Sequence, residues 1–171
     1  MTDEAVEEVA DQTTTGAELH GQPLTEPLGQ QVLHPSRDAY LDVVRALDSD
    51  GYTMCLDVTA VDYSEHHARS LPDGVVAERF EVVVNLLDMR GRRRLRLRVQ
   101  IPESDATLPT LFDVHPGTEA MEREVFDMFG IRFDDHPDLT RILMPEDWVG
   151  HPLRKDYDVG RIPVQFKEAG G

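Results

Sequence analysis

The chain has 171 residues and a formal charge of −16 at pH 7, with 33 acidic against 17 basic side chains. That length allows one ordinary domain plus tails. The charge argues against a free nucleic-acid binder, no apolar run approaches the roughly 18 residues of a membrane span, and a single cysteine, Cys55, excludes an intrachain disulfide or a Cys-rich zinc or iron–sulfur site. The N-terminus is acidic rather than apolar, so the expectation is no secretory signal and a cytoplasmic chain.

Residues 1–33 carry no Lys or Arg and no helical or strand period, and they read as an acidic disordered tail. The other reading is a segment that orders against a basic partner. A domain over 34–146 follows. Ser36 opens a helix that ends near Asp50, with Gly51 as its stop and Tyr40, Val43, Val44 and Leu47 as its buried stripe. From Tyr52 to Tyr63 a strand is expected, with Met54, Leu56, Val58 and Ala60 on its buried side and Cys55 as an inert thiol. A loop over 64–77 holds His66 and His67, read as solvated rather than metal-bound. Glu78–Leu87 and Arg93–Ile101 form a hairpin about Asp88-Met89-Arg90-Gly91. Its second strand points Leu95, Leu97, Val99 and Ile101 one way and Arg94, Arg96, Arg98 and Gln100 the other. The arginine ladder reads as a solvated sheet face, or as a docking face for an acidic partner surface. Residues 102–116 read as a loop.

The densest chemistry lies in 118–158. Thr118 is the expected N-cap of a helix that Gly130 stops. Met121, Val125 and Met128 form an apolar stripe, with Phe126 and Phe129 beside it, so the helix is buried on two sides. Glu119 is in reach of Arg123, and Arg123 of Asp127, at i, i+4. Glu122 and Glu124 stand about 200° apart around the helix and cannot act as one acid/base pair. Asp134, Asp135, His136 and Asp138 offer carboxylate and imidazole ligands, but Pro137 follows His136 directly and no helical His pair exists, so a capping loop that pairs with Arg132 or Arg141 is the simpler reading. Arg141–Met144 reads as a short extended piece. Pro145, Pro152 and Pro163 exclude regular structure from there on, and 147–171 is expected to be an extended tail lying along another protein, with Trp148, Arg154 and Tyr157 as contact residues.

The run Glu122-Arg123-Glu124-Val125-Phe126-Asp127-Met128-Phe129-Gly130-Ile131, then His136-Pro137-Asp138-Leu139, Arg141-Ile142-Leu143-Met144-Pro145 and His151-Pro152-Leu153-Arg154-Lys155-Asp156-Tyr157 resembles the C subunit of NADH-quinone oxidoreductase, the 30 kDa subunit family of respiratory complex I. The compound signature covers about forty residues. Two positions depart from the family's usual pattern: Ala120 stands where a Trp is usual, and Thr140 where Arg or Lys is usual.

The resemblance implies an α+β fold in two layers, with helices on one face of a mixed, largely antiparallel sheet. It implies a chain without catalytic residues, flavin, iron–sulfur cluster or quinone of its own, since FMN and the Fe-S clusters belong to partner subunits. It places the chain in a hetero-oligomer, on the cytoplasmic side of the membrane, against the D subunit, which frames the quinone site, and the B and I subunits, which carry Fe-S clusters. Glu122, Arg123, Glu124 and Asp127 would then make buried or interfacial ion pairs. The same module also occurs in membrane-bound hydrogenases and ferredoxin-linked oxidoreductases. A free-standing metal-dependent hydrolase built on the His136 loop is the remote alternative.

Overall fold

The computed structural model describes residues 17–66 and 68–158. In chain order these form β1 (Ala17–Leu19), β2 (Gln22–Thr25), β3 (Val32–Leu33), α1 (Tyr40–Ser49), β4 (Met54–Asp62), β5 (Phe80–Asp88), β6 (Arg93–Ile101), β7 (Thr107–Pro109), α2 (Glu119–Phe129) and β8 (Arg132–Asp134). The first six strands make one sheet in the order β1-β2-β3-β6-β5-β4, and β7 pairs with β8. Pairing in the large sheet is antiparallel except at β3–β6, where Val32 faces Arg96 and Leu33 faces Leu97 in parallel. This is the expected α+β architecture.

The core follows from strand alternation. Phe80, Val82, Val84 and Leu86 of β5 and Leu95, Leu97, Val99 and Ile101 of β6 are all buried. Tyr40, Val43, Val44 and Leu47 of α1 and Val125, Met128 and Phe129 of α2 join them in a single cluster. Both helices therefore cover the same sheet face. The opposite face is only partly solvated. There the Glu81 carboxylate, buried in the middle of the sheet, accepts from Arg98 Nε at 2.6 Å and Gln100 Nε2 at 2.5 Å. Arg69 stacks over the Tyr63 ring at 3.8 Å and approaches Glu81 at 3.6 Å.

Three sequence expectations are corrected here. The acidic tail assigned to 1–33 includes residues 17–33, which fold as β1 to β3 and a 3-10 turn at Pro27–Gly29. Strands of two to four residues carry too little alternation to be read, and their stability comes from β6, more than sixty residues away. Residues 1–16 lie outside the described residues. In β4, Met54 and Leu56 are 43% and 38% exposed rather than buried. Cys55 pairs with Leu86 and Asp57 with Asn85, so Leu56 is the extra residue of a β-bulge. The bulge turns Cys55 inward ahead of Val58 and Ala60, where burial pushes its thiol up to about 11. Within 102–116, Thr107–Pro109 is the strand β7, which runs parallel to β8 with Leu108 opposite Phe133. Of the two loop histidines, His66 is exposed as expected, and His67 lies outside the described residues.

Candidate functional site

The signature residues converge on α2. A 3-10 turn at Pro116–Thr118 leads into it, and Thr118 has helical dihedrals with no side-chain cap, so its expected N-cap role is not met. Gly130 ends the helix in the left-handed conformation at φ 73°. A Cβ at Gly130 would sit 2.5 Å from His151 Nε2 and 2.6 Å from Arg154 Nη2. Position 130 must therefore lack a side chain for the His151–Arg154 segment to pack there.

Each acidic residue of the helix has a different fate. Glu122 is fully buried and accepts from the Thr110 hydroxyl at 2.5 Å and the Leu111 amide at 2.7 Å. Burial pushes its carboxyl above the usual range, and the Thr110 and Leu111 hydrogen bonds oppose that only partly. Asp127 is also 0% exposed. Its Oδ2 accepts the amides of Ile142, Leu143 and Met144 at 3.0, 2.8 and 2.8 Å, while Oδ1 pairs with Arg141 at 2.5 Å. Burial alone would raise the Asp127 carboxyl, yet the three amides and Arg141 hold it below the usual range. Three successive amides aimed at one carboxylate bend 142–144 into a turn, where a short extended piece was expected.

Two expected pairings change. Arg123 bonds Glu119 at 3.1 Å as predicted, but its other contacts are Thr140 O at 3.1 Å, Thr140 Oγ1 at 2.9 Å and Arg141 O at 3.2 Å rather than Asp127. The backbone amides and Arg141 already saturate Asp127. Glu124 is exposed, and it forms no buried pair among the described residues.

His136 is not placed as a ligand. Its Nε2 lies 3.0 Å from Glu119 O and its Nδ1 accepts the Asp138 amide at 3.1 Å, which puts the ring proton on Nε2. Pro137 and Asp138 are exposed at the loop surface. Among the described residues no group of three or more His, Cys, Asp or Glu could hold a metal ion.

The last carbonyls of a helix have no partner within it, and here the C-terminal segment supplies them. His151 Nδ1 and Arg141 Nη1 donate to Asp127 O at 3.0 and 3.2 Å, the Leu153 amide to Met128 O at 3.0 Å, and Arg154 Nε to Phe129 O at 2.5 Å. Cations at this end also suit the helix dipole. The His151 ring meets Phe126 edge-on at 6.4 Å, and the Arg154 guanidinium lies over Phe80 at 5.1 Å. The Lys155 amide then donates to Asp62 Oδ2 at 2.9 Å, and Asp156 pairs with Arg79 at 2.8 Å. Trp148 Nε1 donates to the Tyr157 hydroxyl at 3.1 Å. Thus 147–158, expected to leave the domain and wrap a partner, folds back in turns onto its own helix. Pro145 and Pro152 bar a helix or central strand but not turns, and the open carbonyls of α2 provide the anchor. Residues 159–171 lie outside the described residues.

Sequence reasoning missed Asp62, Arg79 and Thr110. Asp62 is buried and takes Arg79 at 2.9 Å, the Ser64 amide at 2.9 Å and the Lys155 amide. These contacts outweigh burial and hold its carboxyl far below the usual range, while the carboxylates around Arg79 raise that guanidinium. The available signal was parity, since Asp62 continues the buried face of Val58 and Ala60. Thr110 gave none.

This geometry belongs to a known kind of protein. Residues 33–162 match the model of the respiratory-chain NADH dehydrogenase 30 Kd subunit. The chain is 42% identical over 149 residues to the NADH-quinone oxidoreductase C subunit of Saccharopolyspora erythraea, which covers 85% of this chain and 56% of that one. It is 39% identical over 173 residues to the C subunit of Nocardia farcinica, with 95% and 65% covered. It thus spans little more than half to two thirds of these relatives' lengths. A trypsin-resistant fragment of Nqo5 superposes with a TM-score of 0.62 at 31% identity, covering 70% of this chain and 90% of the fragment. A chain of the membrane-bound sulfane sulfur reductase, an archaeal respiratory membrane complex, shares the fold with a TM-score of 0.59 at 24% identity. The chain belongs to the 30 kDa subunit family of respiratory-chain NADH dehydrogenase.

Proposed function

We propose that this chain is a structural subunit in the peripheral arm of a proton-translocating NADH-quinone oxidoreductase. FMN and Fe-S clusters of other subunits would carry electrons from NADH to quinone. Its neighbours would be the D subunit at the quinone site and the Fe-S-carrying B and I subunits, on the cytoplasmic side of the membrane. Among the described residues no helix is long and apolar enough to cross a membrane, so attachment would run through those neighbours.

The observation that carries this reading is the use of the signature itself. Glu122 and Asp127 are spent on hydroxyl, amide and guanidinium partners inside the chain. They hold the 110 and 142–144 backbone in place. The segment so held presents Ile142, Leu143, Val149 and Leu153 to solvent, an apolar surface suited to a neighbouring subunit.

The test is an affinity pull-down of the tagged full-length protein from gently solubilised native membranes. Co-purification of flavin, cluster and quinone-site subunits is the expected result. A nickel hydrogenase or ferredoxin-linked set would move the chain to a sister complex. Recovery of the chain alone would refute the assignment.

A further inference from the structure

The junction at α2 makes no use of the arginines around the β5–β6 turn. Arg93 pairs with Asp88 at 2.7 Å, Arg96 donates to Asn85 Oδ1 at 3.0 Å and Arg98 to Glu81 at 2.6 Å. The side chains of Arg90, Arg92 and Arg94 enter no ion pair or side-chain hydrogen bond among the described residues. Arg92 and Arg94 line an open groove of about 780 Å3, walled by Gln30, Gln31 and Met89, with Glu26 as its single carboxylate. Leu28, wholly exposed and at φ 52°, stands beside the groove residue Gly29. A groove with two unpaired guanidiniums and an exposed Met side chain, with exposed Leu28 next to it along the chain, calls for an occupant that is both acidic and apolar.

We infer that this groove is the docking site of the chain's own acidic segment, residues 1–16. The charge fits: Asp3, Glu4, Glu7, Glu8 and Asp11 lie there without any Lys or Arg, and Val6 and Val9 are interleaved among them. The path also fits. β1 is antiparallel to β2, β2 to β3, and β3 is parallel to β6, so β1 runs in the direction of β6. Ala17 therefore begins β1 at the end of the sheet where Arg93 and Arg94 begin β6. Ala17 is level with Leu24, Leu33 and Leu97, three strand spacings or about 14 Å across the sheet. Arg94 lies three residues back along β6, about 10 Å, so the diagonal is about 17 Å. Six residues of chain can span up to about 20 Å, so Asp11 and the acidic residues before it are within reach of the groove. Tethering at this range gives an effective concentration in the millimolar range, enough for a weak charge-driven contact. This inference does not depend on the proposed assembly.

The experiment is an amide and arginine Nε–Hε NMR comparison of the full 171-residue chain with its Asp3→Asn, Glu4→Gln, Glu7→Gln, Glu8→Gln, Asp11→Asn variant. Spectra are taken in dilute buffer and in about 0.5 M salt, where the Debye length falls to a few Å. The expected result is a set of differences at Gln30, Gln31, Arg92 and Arg94 in dilute buffer that vanish in salt and do not change with protein concentration. A second variant, Arg92→Gln with Arg94→Gln, alters exposed side chains only and should shift the signals of residues 3–11. Superimposable spectra at the groove would overturn the inference. So would differences that grow with protein concentration, which would assign the groove to a second copy.

Discussion

Asp127→Asn isolates what the central carboxylate does. The substitution keeps size and shape but removes the charge. Its one remaining oxygen must stay at the Oδ2 position to serve the three amides of 142–144, which turns the new NH2 toward Arg141, donor against donor. Arg141 is then left 14% exposed without its counter-charge. Breaking one partner of a buried pair costs about 3–5 kcal/mol. The lower end applies because Arg141 keeps the Gly150 carbonyl at 3.0 Å. About 3 kcal/mol is a large part of the roughly 5–15 kcal/mol that holds a domain folded. With a urea m-value of about 2 kcal/mol/M, the midpoint should fall by about 1.5 M. The pH sign is also fixed. Because Asp127 is held below the usual carboxylate range when folded, its contribution is complete above the unfolded value of about 3.9 and is lost as pH falls through the folded one. Wild type should therefore lose more stability than the variant on acidification below about pH 4. Urea unfolding followed by far-ultraviolet circular dichroism gives the midpoint, and hydrogen exchange gives protection at Ile142–Met144. A midpoint shift under about 0.3 M with unchanged protection would falsify the account.

Gly130→Ala should lower the melting temperature by at least about 5 °C, because it adds both positive-φ strain and a Cβ 2.5 Å from His151 Nε2. A neutral result in a thermal melt would mean that the His151–Arg154 segment does not pack there. Glu124→Ala should leave urea stability within about 0.5 kcal/mol, since the side chain is exposed. If the proposed assembly is right, any effect appears instead as less co-purified complex. His34, buried against Thr25 at 3.0 Å, should titrate near pH 4 by NMR, because burial and then Arg98 disfavour its charged form. Its folded value lies below the unfolded 6.5. Its share of stability is therefore present above pH 6.5 and lost as pH falls toward 4. A measured value above about 6 would mean the ring is solvated.

What could be read beforehand tracks how local the determining interactions are. Alternation of Leu95, Leu97, Val99 and Ile101 against Arg94, Arg96 and Arg98 specifies β6 within nine residues, and β5 is its hairpin neighbour. The Tyr40–Leu47 stripe and the Gly130 stop are equally local. β1, β2, β3 and β7 have no such pattern: each is two to four residues long, and β3 and β7 pair with strands distant in sequence. The β4 bulge depends on where Leu86 and Asn85 sit, which no reading of β4 alone contains. In the candidate site, the importance of Glu122 and Asp127 was legible, and so was the i, i+4 contact of Glu119 with Arg123. Their partners were not. Helical spacing offered Arg123 to Asp127, but the amides of 142–144, fifteen and more residues on, are closer in space and bond the carboxylate on one oxygen. Apolar content in 147–158 resembled an interface because a segment that caps its own helix uses the same residue types as one that docks on a neighbour.

The bond from the Lys155 amide to Asp62 joins positions 93 residues apart. It has a bearing on how the chain is made as well as how it is held. On the ribosome, β4, β5, β6 and α2 emerge while the groups that close the end of α2, and the Lys155 amide that adds the last bond to Asp62, are still unsynthesised or in the exit tunnel. Until Arg154 and Lys155 are free, the Phe129 carbonyl stays open and Asp62 has only Arg79 and Ser64 as partners. Closure of the domain is therefore a late event of high contact order. Truncation anywhere before residue 155 should yield a loosened intermediate, which is the form that quality-control proteases would meet first.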